Sequence, residues 1–470
     1  MIDPNYEVVV GLEVHAEIST KSKMFCSCKN DPGRMPNTNV CPVCMGFPGQ
    51  LPVVNKEALR KGMIAALALN CEIQKFSKFD RKNYFYPDLP KGFQISQYDQ
   101  PLSKAGKIKN IRITRLHLED DAGKLMHVPG GSLCDYNRSG VPLMEIVSEP
   151  DIRSAEEAVE YTKELQTILR YVGSSDADME RGMMRFDASV SIRKKGETKL
   201  NFRAEIKNLN SFKALASAID YEFSRQVDLD KKGEPLEGNM TVGWDDEKQA
   251  TYVMRSKEGD ADYRYFPEPD LPPIIVDDKY INELKVQVPE LPDQKRAKYV
   301  GMGVSEHEGE LIALDIDMAK YFEAVVASTK EEPKKVASFI TSIFLKHLND
   351  ENLSINKSKV KAEHLAKLFD LVKEGVISGN MAKGDIFEEM YYTGKNPDEI
   401  VNEKGLKQVS DMGAIDAVCR KVVEANPNVV AEYKSGKDKL FGFFVGQAMK
   451  ELKGQGNPVV INEILKKLLS

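Results

Sequence analysis

Apolar and polar positions alternate with a period of two along "YEVVVGLEVHAEI", residues 6–18. Successive side chains of a β-strand point to opposite faces. Val8, Val10, Leu12, Val14, Ala16 and Ile18 therefore share one face of a predicted strand. Glu13, His15 and Glu17 share the other. Shorter β-like runs predict further strands at "IRITRLHL", "SVSIRKK", "NFRAEIKNLN" and "PPIIVDD". Gly- and Pro-rich connections such as "KNDPGRMPNTN", "PDLPKG" and "HVPGGS" separate them. The spacing changes to three and four in "NKEALRKGMIAALALN" and "SAEEAVEYTKELQTILRYVG", which predicts helices. Beyond "PELPDQKRAKYV", residues 310–405 read as consecutive amphipathic helices, "HLAKLFDLVKEGV" among them. The last stretch, 411–470, is helical with a glycine-bearing loop. The expectation is an α+β protein: a large β-rich mixed domain at 1–295, an all-helical region at 296–408, and a small helical tail at 409–470.

Composition narrows the class. A chain of 470 residues exceeds one ordinary core, so several domains are expected. Hydrophobic content of 41% with 29% charged residues describes a soluble globular protein. No apolar run approaches a membrane span, and "MIDPNYE" has no basic, apolar leader pattern. Seven cysteines in such a chain read as reduced thiols or metal ligands, in a cytoplasmic setting. The net charge of −6 argues against a generic nucleic-acid coat. It hides an asymmetry, because residues 411–470 hold nine Lys/Arg against seven Asp/Glu and are +2 while the rest is −8.

Three patterns carry candidate chemistry. In "CSCKNDPGRMPNTNVCPVC", Cys26-x-Cys28 is followed twelve residues later by Cys41-x2-Cys44. Two tight thiol pairs across a loop of residues 26–44 match tetrahedral structural zinc. The alternatives are unpaired thiols or a redox pair at Cys41 and Cys44. Cys71, Cys134 and Cys419 are isolated and read as ordinary thiols. "RLHLEDDAGK" crowds His117, Glu119, Asp120 and Asp121 at a strand end. Either this cluster or Glu13/His15/Glu17 alone reads first as a solvated polar face. Two of them in one β-rich domain bring a metal centre level with that reading. Carboxylates suit Mg²⁺ or Mn²⁺ and histidine suits transition metals, so donor type leaves the ion open. "SKFDRKNYFYPDLPKGFQISQYDQP" interleaves Arg81, Lys82 and Lys91 with Tyr84, Phe85, Tyr86, Phe93 and Tyr98. That mixture suits phosphates and stacked bases, or simply core aromatics under surface cations. In "DYNRSGVPLMEIVSEPD", Asn137 and Arg138 precede an apolar run, which predicts a shaped loop feeding a buried strand. There is no Gly-x4-Gly-Lys-Ser/Thr loop, no Gly-x-Gly-x-x-Gly after a strand, and no Gly-x-Ser-x-Gly elbow.

Seven segments in chain order, "VVGLEVHAEI", "KFDRKNYFYPDLPKGFQISQYDQP", "RLHLEDDAGK", "DYNRSGVPLMEIVSEPDI", "RAEIKNLNSF", "DYRYFPEPDLPP" and "GFFVGQAMK", resemble the B subunits of the aspartyl/glutamyl-tRNA amidotransferases. The resemblance runs from Tyr6 to the last helix. It implies a kinase-like catalytic cradle in residues 1–295. It implies partners: an amidase A subunit, a small C subunit, and tRNA(Gln) misloaded with Glu or tRNA(Asn) misloaded with Asp. It implies ATP and Mg²⁺ as cofactors, with the side-chain carboxylate phosphorylated and then amidated by ammonia channelled from the A subunit.

Residue by residue, Glu13 and His15 match the family's metal-binding strand. Glu119 and Asp120 match an acidic pair with metal and catalytic duties. The family carries two consecutive glutamates there, and this chain has Glu119–Asp120. Lys82, Asp187, Glu205 and Lys207 are further expected members of the cradle, Lys82, Glu205 and Lys207 as nucleotide contacts. The four cysteines match a zinc-bearing variant of the family. The tail at 409–470, with Lys434, Lys437, Lys439, Lys450 and Lys453, is expected to contact tRNA phosphates. A second reading is a zinc-bearing tRNA-binding scaffold without chemistry of its own. A free-standing ammonia ligase is disfavoured, since neither an ammonia source nor a phosphate loop is visible.

Overall fold

Residues 6–18 realise their period-two pattern in β1 (Tyr6–Glu17), the central strand of a nine-stranded sheet. The structure is a computed structural model and describes residues 3–256, 263–406, 412–452 and 456–469. The sheet comprises β1, β2 (Glu72–Ile73), β3 (Ser103–Ile108), β4 (Ile111–Asp120), β5 (Pro142–Ser148), β6 (Met184–Lys194), β7 (Ala204–Leu209), β8 (Met240–Asp245) and β9 (Ala250–Ser256). Their spatial order is β9-β8-β7-β6-β1-β5-β4-β3-β2. Pairing is antiparallel except between β7 and β8.

Val8, Val10, Leu12, Val14 and Ala16 are buried on one face of β1, as their alternation requires. Helices cover that face. α1 (Lys56–Ala68) packs on β4, α3 (Phe212–Lys231) packs on β6 and β7, and α2 (Ala155–Tyr171) packs against α3. Asn55, Ser154 and Ser211 cap the three helices with side-chain oxygens, each worth about 1 kcal/mol. Leu215, Ile219, Phe223 and Val227 of α3 recur every four residues and supply its buried stripe. The opposite face of the sheet carries the charged residues.

A three-stranded sheet, in which Asp80–Asn83 pairs with both Phe93–Ser96 and Phe266–Pro267, flanks the end of β4. The strand expected at "PPIIVDD" shrinks to Ile274–Ile275, paired with Phe76–Ser77. Two prolines lack the N–H a ladder needs, and Asp277 already caps the following helix through Tyr280 N. Asn137 lies in the loop that leads into β5 and is fully buried there.

The structure divides into two compact units, Met1–Pro292 and Asp293–Ser470. The second is helical throughout its described residues. Ile316–Ser328 packs against Ala362–Lys373, and Phe339, Phe344, Phe369 and Phe387 meet edge-to-face at centroid distances of 5.0–5.3 Å. Ile415, Cys419, Val422, Phe444, Ala448, Ile461, Ile464, Leu465 and Leu469 form a separate core for the last helices. Lys453 and the junction at 407–411 lie outside the described residues. Among the described residues no helix is long and apolar enough to cross a membrane.

Candidate active site

Antiparallel register sets the charged side chains in rows across the polar face of the sheet. His15 of β1 stands opposite Glu145 of β5, which stands opposite His117 of β4. One step along, Glu13 stands opposite Asp187 of β6. His15 Nε2 lies 3.2 Å from Glu145 Oε2 and 3.9 Å from Glu119 Oε1. His117 Nε2 lies 3.6 Å from both Glu119 and Glu145. Two groups of potential ligands result: His15, Glu119 and Glu145, and Glu13, Asp187 and Glu205. Within each, one ligand atom per residue lies inside 4.8 Å of the others. Glu13 and His15 are two residues apart on one strand, a step of about 7 Å, so the groups are neighbours.

Burial and charge set the protonation of these groups. Burial pushes the Glu145 carboxyl up, but His117 and His15 outweigh it and hold the group well below the usual carboxylate range. Glu119 is lowered in the same way, its burial outweighed by His117 and Lys82 among others. Burial disfavours the charged form of His15, yet its hydrogen bond to Glu145 raises its pKa overall. Glu13 is raised, first by burial and then by the charge of Glu145. Lys207 bonds both Asp187 and Glu205, and these acids raise it against the effect of burial. Lys82, on Asp80–Asn83, is opposed by burial and raised by Glu119, Tyr265 and Glu145. Its Nζ sits 5.0 Å from the ring of Tyr263. The result is a buried, acid-rich patch that two ammonium groups face: Lys207, bonded to Asp187 and Glu205, and Lys82, on the side of Glu119 and Glu145.

The structure brings together Glu13, His15, Glu119, Lys82, Asp187, Glu205 and Lys207 of the expected set. It does not bring Asp120 to them. Strand alternation sends Asp120 to the far side of β4, where it pairs with Lys91 and accepts the Ile95 N–H at 3.0 Å. Its burial outweighs Lys91 and raises its pKa. Asp121 is claimed by Arg185 at 2.7 Å. Glu145 is absent from the expected set. Its signal is a single acid inside the apolar run "PLMEIV", which folds as a buried strand. Of the aromatics, Tyr84 stacks edgewise on Tyr263 at 6.0 Å, while Phe85 is 90% exposed.

The sulfurs of Cys26, Cys28, Cys41 and Cys44 also lie within 4.8 Å of one another. Zinc–sulfur bonds of about 2.3 Å in a tetrahedron place sulfurs about 3.8 Å apart, so the four can hold such an ion. The Cys41 N–H donates to Cys44 Sγ at 3.2 Å, a contact that favours a thiolate there.

Two family models match the chain: the GatB/GatE catalytic domain over residues 8–282 and the GatB domain over residues 320–469. The chain belongs to the GatB family. Its catalytic-domain match contains both carboxylate groups, Lys82 and the four cysteines. Curated relatives in the family span its full length. A protein of Persephonella marina is 50% identical over 473 residues, covering 99% of both chains. One of Carboxydothermus hydrogenoformans is 47% identical over 479 residues, again 99% of both. One of Caldanaerobacter subterraneus is 49% identical over 475 residues, with 99% of each chain covered. Each is named as the B subunit of an aspartyl/glutamyl-tRNA(Asn/Gln) amidotransferase.

Proposed function

We propose that this chain is the subunit that activates and amidates the side-chain carboxylate of Glu on tRNA(Gln), of Asp on tRNA(Asn), or of both. The observation that carries the reading is the convergence of six metal-competent groups from five strands beside Lys82. A carboxylate is a poor acyl donor at neutral pH, because its oxygen does not leave. The side-chain oxygen attacks the γ-phosphorus of ATP, the bond to the β–γ bridging oxygen breaks, and ADP departs. Ammonia then attacks the acyl carbon, phosphate leaves, and the nitrogen gives up a proton. An amidase A subunit supplies the ammonia from glutamine, and a small C subunit completes the assembly, in the cytoplasm.

His15, Glu119 and Glu145 would hold one Mg²⁺, and Glu13, Asp187 and Glu205 a second. The donor atoms of each set lie within 4.8 Å of one another, close enough to share one ion. Bound Mg²⁺ supplies positive charge that offsets the phosphate oxygens as the phosphoryl group moves. Lys82 would meet the same negative charge from the side of Tyr84 and Tyr263. Lys207, bonded to both Asp187 and Glu205, would hold their carboxylates close to each other and to Glu13. Asp120 stands with Lys91 in a separate pocket of about 170 Å³ that the cysteine loop helps to wall. We place the arrival of ammonia on that side. Cys26, Cys28, Cys41 and Cys44 would hold a structural Zn²⁺ that staples residues 26–44. Within the catalytic cradle of 1–295, the helical 296–408 and the tail of 409–470, the tail contacts tRNA.

The test is amide formation by the purified complex, given ATP, glutamine and each misacylated tRNA. The reading expects ADP and amide to form together and only with misacylated tRNA. ADP and amide formation that is unchanged when Glu13 and His15 are replaced would leave a scaffold role instead.

A further inference from the structure

Lys23 has a fully buried side chain, at 0% exposed, beside the four cysteines. Its Nζ donates to the Asn39 carbonyl at 2.9 Å and lies 3.8 Å from Cys44 Sγ. Among the described residues, no carboxylate is within ion-pair distance of it. The backbone fixes its position: its own N–H donates to the Cys28 carbonyl at 2.9 Å, and Met24 N–H to Gly140 O at 2.7 Å. Gly140, at φ +85°, closes the wall, where a Cβ would come within 3.3 Å of Cys44 Cβ and 3.5 Å of Lys23 Cδ.

A buried ammonium is costly unless an opposite charge faces it. Four neutral thiols, or a Cys41–Cys44 disulfide, would leave Lys23 with one carbonyl dipole. Four thiolates around a divalent ion carry two net negative charges, which Lys23 reduces to one. We propose that Lys23 is the built-in counter-ion of the four-cysteine metal centre, holding Cys44 as a thiolate on the metal. It acts through Cys44 and touches no reacting atom, so it is a positioning residue. The proposal rests on the metal reading of the cysteines. Groups around a metal's ligands commonly set its affinity over ten- to a hundredfold.

The experiment is Zn²⁺ competition against a chromophoric chelator, with the full-length chain unaltered, as Lys23→Met and as Lys23→Arg. Lys23→Met should weaken Zn²⁺ binding ten- to a hundredfold, and Lys23→Arg by no more than a few-fold. With Co²⁺ in place of Zn²⁺, the thiolate charge-transfer band of Lys23→Met should move to longer wavelength, because its sulfurs have lost a nearby cation. If Lys23→Met does not fold, Lys23→Gln is measured instead. Its amide keeps hydrogen-bonding capacity without charge, and the same loss is expected. Equal affinity and an unmoved band in the neutral variant would overturn the role of Lys23 alone. Absence of Zn²⁺ binding by the unaltered chain would overturn the metal reading with it.

Discussion

Glu145 Oε2 and His15 Nε2 face each other across β5 and β1 at 3.2 Å. His117 stands on the other side of the same carboxylate at 3.6 Å, so Glu145 joins three strands through one side chain. Glu145→Gln keeps the shape and removes the charge that both imidazoles face. It should lower amide formation at least a hundredfold while the far-ultraviolet spectrum stays unchanged. A variant with more than a tenth of normal activity would show that Glu145 is packing alone.

Glu17 lies beyond this cluster on β1 and is 4% exposed. Burial, then the charge of Asp121, push its carboxyl up to about 7, against an ordinary 4.5. The folded chain therefore holds the proton more tightly than the unfolded one. That contribution is full below about pH 4.5 and is lost as pH rises through about 7. Glu17→Gln should match the unaltered chain near pH 4.5 and exceed it at pH 8 by up to about 3 kcal/mol. Urea unfolding of both at the two pH values checks this. An equal stability difference at both pH values would contradict the assignment.

Cys26→Ser combined with Cys41→Ser should abolish binding of one Zn²⁺ per chain and loosen residues 26–44. ADP formation should survive in part, since no cysteine lies in either carboxylate group. Metal analysis and protease susceptibility of the loop are the measurements. A native chain without zinc, or with an iron–sulfur absorption band, would refute the prediction.

β1 was legible in the sequence because its two faces differ at every step from Leu12 to Ile18, so Leu12, Val14, Ala16 and Ile18 separate from Glu13, His15 and Glu17 by inspection. The cysteine loop was legible for a similar reason: spacing along the chain is what the site requires. Alternation pairs Glu119 with His117, but the family's acidic pair gives Asp120 the same duty, so the sequence leaves open which acid faces the site and the fold separates them. Glu145 was not legible, because its partner His15 is 130 residues away and only the β1–β5 register brings them together. Lys82 could be picked out, but its direction depends on the small sheet of Asp80–Asn83 and on Tyr263, which no local pattern encodes.

The described residues between 412 and 469 fold around their own core, and Lys434, Lys437, Lys439 and Lys450 lie on that part of the chain. Truncation at about residue 410 should weaken tRNA binding and flatten its salt dependence, because phosphate contacts release counter-ions. Glutamine hydrolysis by the proposed amidase partner should be little changed. Titration of tRNA at several salt concentrations is the test, and an unchanged affinity and slope would exclude the tail from tRNA binding.

In the proposed reading, the two carboxylate groups on the sheet hold the Mg²⁺ that phosphoryl transfer needs. The most direct test is ADP and amide formation from misacylated tRNA by complexes carrying Glu13→Gln or His15→Ala, with glutamine hydrolysis measured alongside. Each substitution removes a ligand from one of the two groups. Both products should be lost in each variant while glutamine hydrolysis by the proposed amidase partner survives. Near-normal ADP and amide formation in both variants would contradict the claim.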